Sequence, residues 1–300
     1  MKTTLLYEEE VGLQFSNIQS YNQNMAKGLE DKLFFLKYLP FGQLSKDKLT
    51  EEHPYLFVDF GCADGTLLAA MVNVLRNLGI QANLVGYDIS ETMISIANGK
   101  YGSCGTENVQ VSFTSNWSDV EEYLHDDNFV RVVILSSVIH EVYSYASSES
   151  DITTFWKRVC WSGFDYICVR DMMPQPDMDR LTDKSLLETF YSNQKKNKPE
   201  LDRYISEFQN KWGSINNNKN FVHYLLKYRW LTNWRREVNE NYFPINTAQF
   251  ASKVRSFSTV YTELFRVPFL ENCWLEDFGV RISDSTHIKY VGRNWQHDWS

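Results

Sequence analysis

A chain of 300 residues with 43% hydrophobic content is long enough for one large α/β domain with insertions, or one domain carrying a small cap. No apolar run approaches the ~18 residues that cross a bilayer, and the start, which turns acidic by Glu8-Glu9-Glu10, lacks the apolar region of a secretory signal. The five cysteines have no paired spacing, which argues against a disulfide scaffold or a zinc site and for reduced thiols in a cytoplasmic protein, with no metal and no membrane association expected.

The net charge of −8 is unevenly spread: Arg180–Arg255 holds 14 Lys/Arg against 7 Asp/Glu, so this stretch is basic in an acidic chain. Residues 1–54 read as an N-terminal helical segment, with helical spacing over Met25–Leu39 and a stop at Pro40. Residues 55–175 alternate strands and helices. The strands fall at about 55–60, 83–88, 109–113, 130–136 and 164–170. The intervening helices cover Leu67 to Gly79, Ser90 (an N-cap) to Gly99, Asp119–His125 and 151–161. Such alternation implies right-handed βαβ units and a parallel sheet. Pro174 and Pro176 break the pattern. Residues 176–256 then read as an inserted helical, basic and aromatic cap, with loops expected at Ser192–Pro199 and Ile215–Asn220. Residues 257–300 return to strands, at about Thr259–Val267 and Ser285–Gly292.

The first strand, Phe57-Val58-Asp59-Phe60, ends in an acid and runs into Gly61-Cys62-Ala63-Asp64-Gly65-Thr66. The second strand ends at Asp88, about 20 residues beyond the loop, an offset suited to holding a ribose diol. A dinucleotide fingerprint would place a third glycine where Thr66 stands, and Asp59 would repel a pyrophosphate while suiting a cationic amino-acid group. On these residues the chain resembles a class I, Rossmann-like S-adenosylmethionine (SAM)-dependent methyltransferase. Ala63 departs from the usual middle glycine.

The resemblance covers roughly 55–172 plus the closing strands. It implies a doubly wound, mostly parallel seven-stranded α/β sheet whose last strand is antiparallel. It implies that Asp59, with the backbone of Gly61, Ala63 and Gly65, holds the methionine part of SAM. Asp88 takes the ribose hydroxyls and Ile89 lies on the adenine. Asn116 stands where the class commonly has an acid; its carbonyl is placed to meet the adenine amino group, and Trp117 either stacks on the ring or seals the core. Tyr21 and Met25 belong to a leading segment that, in this class, often folds over the cofactor.

The fourth strand leads into Ser136-Ser137-Val138-Ile139-His140-Glu141, the floor beneath the transferable methyl in this class. Ser136 is assigned a backbone contact to the cofactor. His140 is the first candidate general base, with Glu141 orienting it or taking the role itself. The signatures of exocyclic-amine and cytosine-C5 DNA methyltransferases are absent after this strand. The cap is expected to choose the acceptor, an O or N atom of a small molecule. The alternatives are an RNA or nucleotide bound along 195–236, where aromatics and cations interleave, and a SAM-binding subunit without turnover. The plainer reading of 221–236 is an amphipathic helix whose Trp and Tyr form the cap core and whose cations are solvated.

Overall fold

The computed structural model describes residues 28–41 and 54–295. Most of the 1–54 segment, with Tyr21 and Met25, lies outside them. Seven strands form one sheet in the order β3-β2-β1-β4-β5-β7-β6: β1 Tyr55–Phe60, β2 Ala82–Tyr87, β3 Val109–Thr114, β4 Val130–Ser136, β5 Tyr166–Met172, β6 Phe257–Phe265 and β7 His287–Asn294. β1 to β5 pair in parallel, whereas β7 runs antiparallel between β5 and β6. This is the doubly wound topology expected from the resemblance.

β1 shows why the sheet is covered on both sides. Leu56, Val58 and Phe60 enter one apolar cluster, and Tyr55 and Phe57 enter another, as the alternation of a strand requires. The second cluster is closed by α1 Leu29–Lys32 with the turn at Phe34–Lys37, α2 Thr66–Leu78 and α3 Glu91–Tyr101. Ser90 caps α3, its Oγ accepting the Met93 N–H at 3.3 Å, as its sequence position suggested. The first cluster is closed by α4 Trp117–Leu124, α5 Ile139–Tyr145 and α6 Glu149–Trp161. The helix expected over Met25–Leu39 is thus a short turn of α-helix followed by a 3₁₀ turn within the described residues.

The cap holds α7 Lys184–Asn197, α8 Asp202–Trp212, α9 Asn218–Lys227 and α10 Trp234–Glu237. The loop expected at 192–199 is largely the end of α7, where Lys195 and Lys196 suit the negative end of the helix dipole. The loop expected at 215–220 ends at Asn217, which caps α9. Two helices cross the sequence-based boundaries of the cap. Phe250 of α11, Thr247–Lys253, joins the sheet core beside Trp156 and Tyr290. Conversely α12, Pro268–Phe278, lies between the closing strands yet packs into the cap: Trp274 is fully buried there, its indole N–H on the Leu225 carbonyl at 2.8 Å. Pro268 at its start and Gly279 just after its end were the legible helix signals in that stretch. Among the described residues, no helix is long and apolar enough to cross a membrane.

Candidate functional site

The site is built at the carboxyl ends of β1, β2, β4 and β5. After β1, the chain turns at Gly61, whose φ is 79°. A methyl group there would sit 2.6 Å from Cγ2 of Val138, so the turn needs glycine twice over. The Gly61 and Cys62 N–H groups both donate to the Tyr87 carbonyl, at 2.7 and 3.0 Å, tying the loop to the end of β2. Ala63 adopts a positive φ of 47°; its N–H donates to Asp88 Oδ2 at 2.9 Å, which offsets the strain. The other Asp88 oxygen accepts the Ser90 N–H at 2.9 Å. Burial pushes the Asp88 carboxyl upward, and these two N–H groups work against it. Asp88 therefore organises the loop as well as facing the space beyond it.

Two cavities meet at Gly61. The smaller, about 40 Å³, is lined by Lys32, Asp59, Cys62, Asp64, Thr66 and Ser136, among others. The larger, about 400 Å³, is lined by Tyr87, Asp88, Ile89, Glu141, Phe155 and Arg158, among others. Asp59 is 2% exposed; burial pushes its carboxyl up to about 7, with Lys32 pulling it down and Asp88 raising it further. Burial pulls the Lys32 ammonium down, while Asp59, Asp64 and Asp31 act to keep its proton. Ser136 Oγ is buried with no hydrogen-bond partner among the described residues. The smaller cavity thus combines carboxylates, an ammonium and an unsatisfied hydroxyl, a donor set for a zwitterionic amino-acid group. Ile89 is 67% exposed on the wall of the larger cavity, where an apolar ring would cover it.

Asn116 and Trp117 are held away from these cavities. The Asn116 side chain caps α4, accepting from Ser118 N–H at 3.2 Å and donating to Asp119 at 3.0 Å. Trp117 is buried against Phe60 and Tyr87, with ring centroids at 5.6 and 5.3 Å, so of the two roles expected for it the geometry gives the sealing one.

The floor follows β4. Ser137 turns the chain at a φ of 60° and α5 begins. His140 is buried, with Nδ1 2.7 Å from Asp171 Oδ1, and it lines neither cavity. Asp171, at the end of β5, also accepts the N–H groups of Ile139 and Met172, each at 2.7 Å. Burial disfavours the imidazolium, but Asp171 outweighs it and raises the His140 pKa to about 9. A histidine already protonated at neutral pH and closed off from the cavity is not placed to take a proton from a bound acceptor. Glu141, the next residue, does line the larger cavity. Burial raises Glu141 to about 6 against the pull of Arg236. Arg236 Nη2 donates to Glu141 Oε1 at 2.9 Å across 95 residues of sequence.

Lys32, Arg158, Asp171 and Arg236 were not assigned from sequence. Asp171 alone carried a signal, being an acid at the end of a central strand. Of the two roles open to the aromatics of 221–236, a stacking surface or a cap core, the structure gives the core. Tyr224, Tyr228 and Trp234 are interior to the cap core. Lys227 is fully buried, donating to the Glu240 carbonyl at 2.8 Å and to the Glu237 carbonyl, with its ammonium over the Tyr242 ring. No cap residue lines either cavity. Among the described residues, no three His, Cys, Asp or Glu side chains gather as a metal site.

No family model matches the chain, and no curated protein matches it. Several solved structures are similar to it at low identity. One is a SAM-dependent methyltransferase from Archaeoglobus fulgidus, at 15% identity over 87% of this chain and 98% of that one, with a TM-score of 0.39. Another is the YcgJ protein from Bacillus subtilis, at 12% identity over 85% and 97%, with a TM-score of 0.42. A third is magnesium protoporphyrin IX methyltransferase from Synechocystis, at 15% identity over 84% and 78%, with a TM-score of 0.37. The chain spans about half the length of two others, the CMeT domain of the citrinin polyketide synthase (52%) and PKMT2 from Rickettsia typhi (53%). With every one of these TM-scores below 0.5, the fold and the reading of the site rest on this chain's own strands and residues.

Proposed function

We propose that the protein is a SAM-dependent methyltransferase that moves a methyl group to an oxygen or nitrogen of a small molecule. The observation that carries this reading is the pair of buried carboxylates, Asp59 and Asp88, ending adjacent strands on either side of the glycine loop, with the two cavities meeting between them at Gly61. A dinucleotide would bring a pyrophosphate against Asp59 and Asp64; an amino-acid ammonium finds opposite charge there.

When bound, SAM would supply an electrophilic methyl carbon on a sulfonium, with a neutral thioether as its leaving group. The protein's share is binding, alignment and one proton. Asp59 would hold the ammonium, Lys32 would meet the carboxylate, and Ser136 Oγ would gain a hydrogen bond that it does not make among the described residues. Asp88 takes the ribose hydroxyls on the lone pairs left by Ala63 and Ser90. Glu141, with a pKa raised to about 6, is largely ionised at neutral pH and suited to accept the proton released by an O–H or N–H acceptor. The cap braces this floor rather than lining the acceptor cavity. With its tyrosines turned inward it gives little support to base stacking along 195–236.

The test incubates the purified protein with methyl-labelled SAM and, in parallel, a small-metabolite extract and total RNA, with SAM affinity measured by calorimetry. Label in the low-mass fraction is expected, together with loss of affinity in Asp88→Asn. A protein that binds no SAM refutes the reading, label in RNA moves the acceptor to a nucleic acid, and binding without transfer reduces the protein to a cofactor-binding subunit.

A further inference from the structure

The turn from Arg236 to Asn241 meets one face of α5. Arg236 Nη2 bonds Glu141, the Asn241 N–H donates to Ser144 Oγ at 2.7 Å, and the Tyr145 hydroxyl donates to Glu240 Oε1 at 2.8 Å. Residues 141, 144 and 145 are spaced i, i+3, i+4, so a single stripe of the helix is engaged. Arg236 is itself fixed by a second bond, Nε to Glu240 Oε1 at 2.7 Å. The fully buried Lys227 holds the carbonyls of Glu237 and Glu240 at the base of the turn. The guanidinium side chain is 13% exposed and the Glu141 side chain 30% exposed, so solvent screens this pair less than one at the surface. It is a cap residue, anchored from the cap interior, applied to the carboxylate at the cavity wall.

We propose that Arg236 is a positioning residue that keeps Glu141 ionised and holds it by Oε1, so that Glu141 can receive the acceptor's proton; this rests on the methyltransferase reading above. The charged groups that act on Glu141 come from four places. Arg236 of α10 and His140 of α5 favour its ionised form, and Glu240 after α10 and Asp88 at the end of β2 oppose it. Arg236 is the only one of the favourable pair that touches the carboxylate in the hydrogen bonds found among the described residues. Its removal leaves a half-buried acid facing two other acids, which is the arrangement that raises a carboxyl's proton affinity. The cap's contribution would then be electrostatic support of the proton acceptor, which explains why it braces α5 without lining the cavity.

The experiment follows the Glu141 carboxyl by NMR in the ligand-free protein labelled with carboxyl-¹³C glutamate, its resonance identified by its absence in Glu141→Gln. In Arg236→Gln the carboxyl is expected to bind its proton about tenfold more tightly, as for loss of an adjacent opposite charge. Arg236→Lys is expected to fall between that and the wild type. Glu240→Gln removes an opposing charge and should loosen the proton. The acidic limb of the kcat profile should move with each titration while SAM affinity stays near the wild-type value. A Glu141 titration that is unchanged in Arg236→Gln, or that tightens in Glu240→Gln, overturns the proposal. Should Arg236→Gln fail to fold, the lysine and Glu240 variants decide it. If the titrations move as stated but the wild type binds no SAM, the functional reading fails and the Arg236–Glu141 link stands. If SAM binds and methyl moves but the titrations do not, the link alone fails.

Discussion

Replacing Gly61 by alanine tests the geometry of the loop most directly. The new Cβ would lie 2.6 Å from Cγ2 and 3.2 Å from Cβ of Val138, a buried residue that cannot swing away because its two methyls are fixed on Cβ. The left-handed backbone at this position costs a non-glycine residue roughly 1–2 kcal/mol, and the overpacking a further 1–3 kcal/mol or so. The expected loss is therefore about 2–5 kcal/mol, read as a shift of the urea midpoint at constant m-value. Val138→Ala alone should cost roughly 1.5 kcal/mol for the two buried methyl groups removed. In the double variant the 2.6 Å clash disappears, leaving the backbone strain, the tight approach to the remaining Cβ and the loss of the two methyl groups. The two losses should thus fail to add by about 1–3 kcal/mol, a coupling well above the scatter of such cycles. SAM calorimetry on the double variant should still show weakened binding, since the added methyl lies where both cavities meet. Additive losses, or a Gly61→Ala variant as stable as the wild type, would refute the argument that Val138 forbids a side chain there.

Two further outcomes follow from the buried ionisable groups. The folded-state pKa of His140 is raised to about 9, so its pairing with Asp171 stabilises fully below the unfolded value of about 6.5 and fades as pH rises through the folded value. The stability gap between wild type and His140→Gln should accordingly be large at pH 6 and small at pH 10; a gap independent of pH would mean that the imidazole is not charged in the fold. Asp59 is an acid raised to about 7, so its proton favours the folded state, and stability is lost as pH climbs from about 3.8 through 7. Asp59→Asn is therefore expected to melt higher than the wild type at pH 8, with the difference vanishing near pH 4, while its affinity for SAM collapses. A variant that melts lower than the wild type at pH 8 would show that Lys32 more than compensates the buried charge.

Much of this architecture is legible along the chain because its signals are local. β1 to β5 are short apolar runs separated by helical periodicity, and Asp59, Gly61, Gly65 and Asp88 lie at fixed offsets within one βαβ unit. What escaped was non-local. Nothing near His140 announces Asp171, 31 residues on, and without that partner an imidazole beside a cofactor loop reads as a base. The link from Glu141 to Arg236 spans 95 residues and depends on how the cap docks, which no spacing encodes. The aromatic and basic stretch 221–236 was ambiguous in a different way: its aromatics form the cap core, the plainer of its two readings, while Lys227, expected in solvent, is buried. Composition cannot distinguish a stacking surface from a cap core, and only the burial of Tyr224, Tyr228 and Lys227 tells which face the aromatics take.

The antiparallel insertion of β7 also sets an order of events during synthesis. β6 is made before β7, yet β7 is the only strand it pairs with, and β7 is equally what separates it from β5. Until residues 287–294 have been added, the outer side of β5 and both sides of β6 present unpaired backbone groups, a template for pairing with another chain. A chain caught at that stage can have β1 to β5 assembled while β6 and β7 wait. β7 acts as a zip closing two open rows at once, and this long-range pairing has to wait until residues 287–294 have been made.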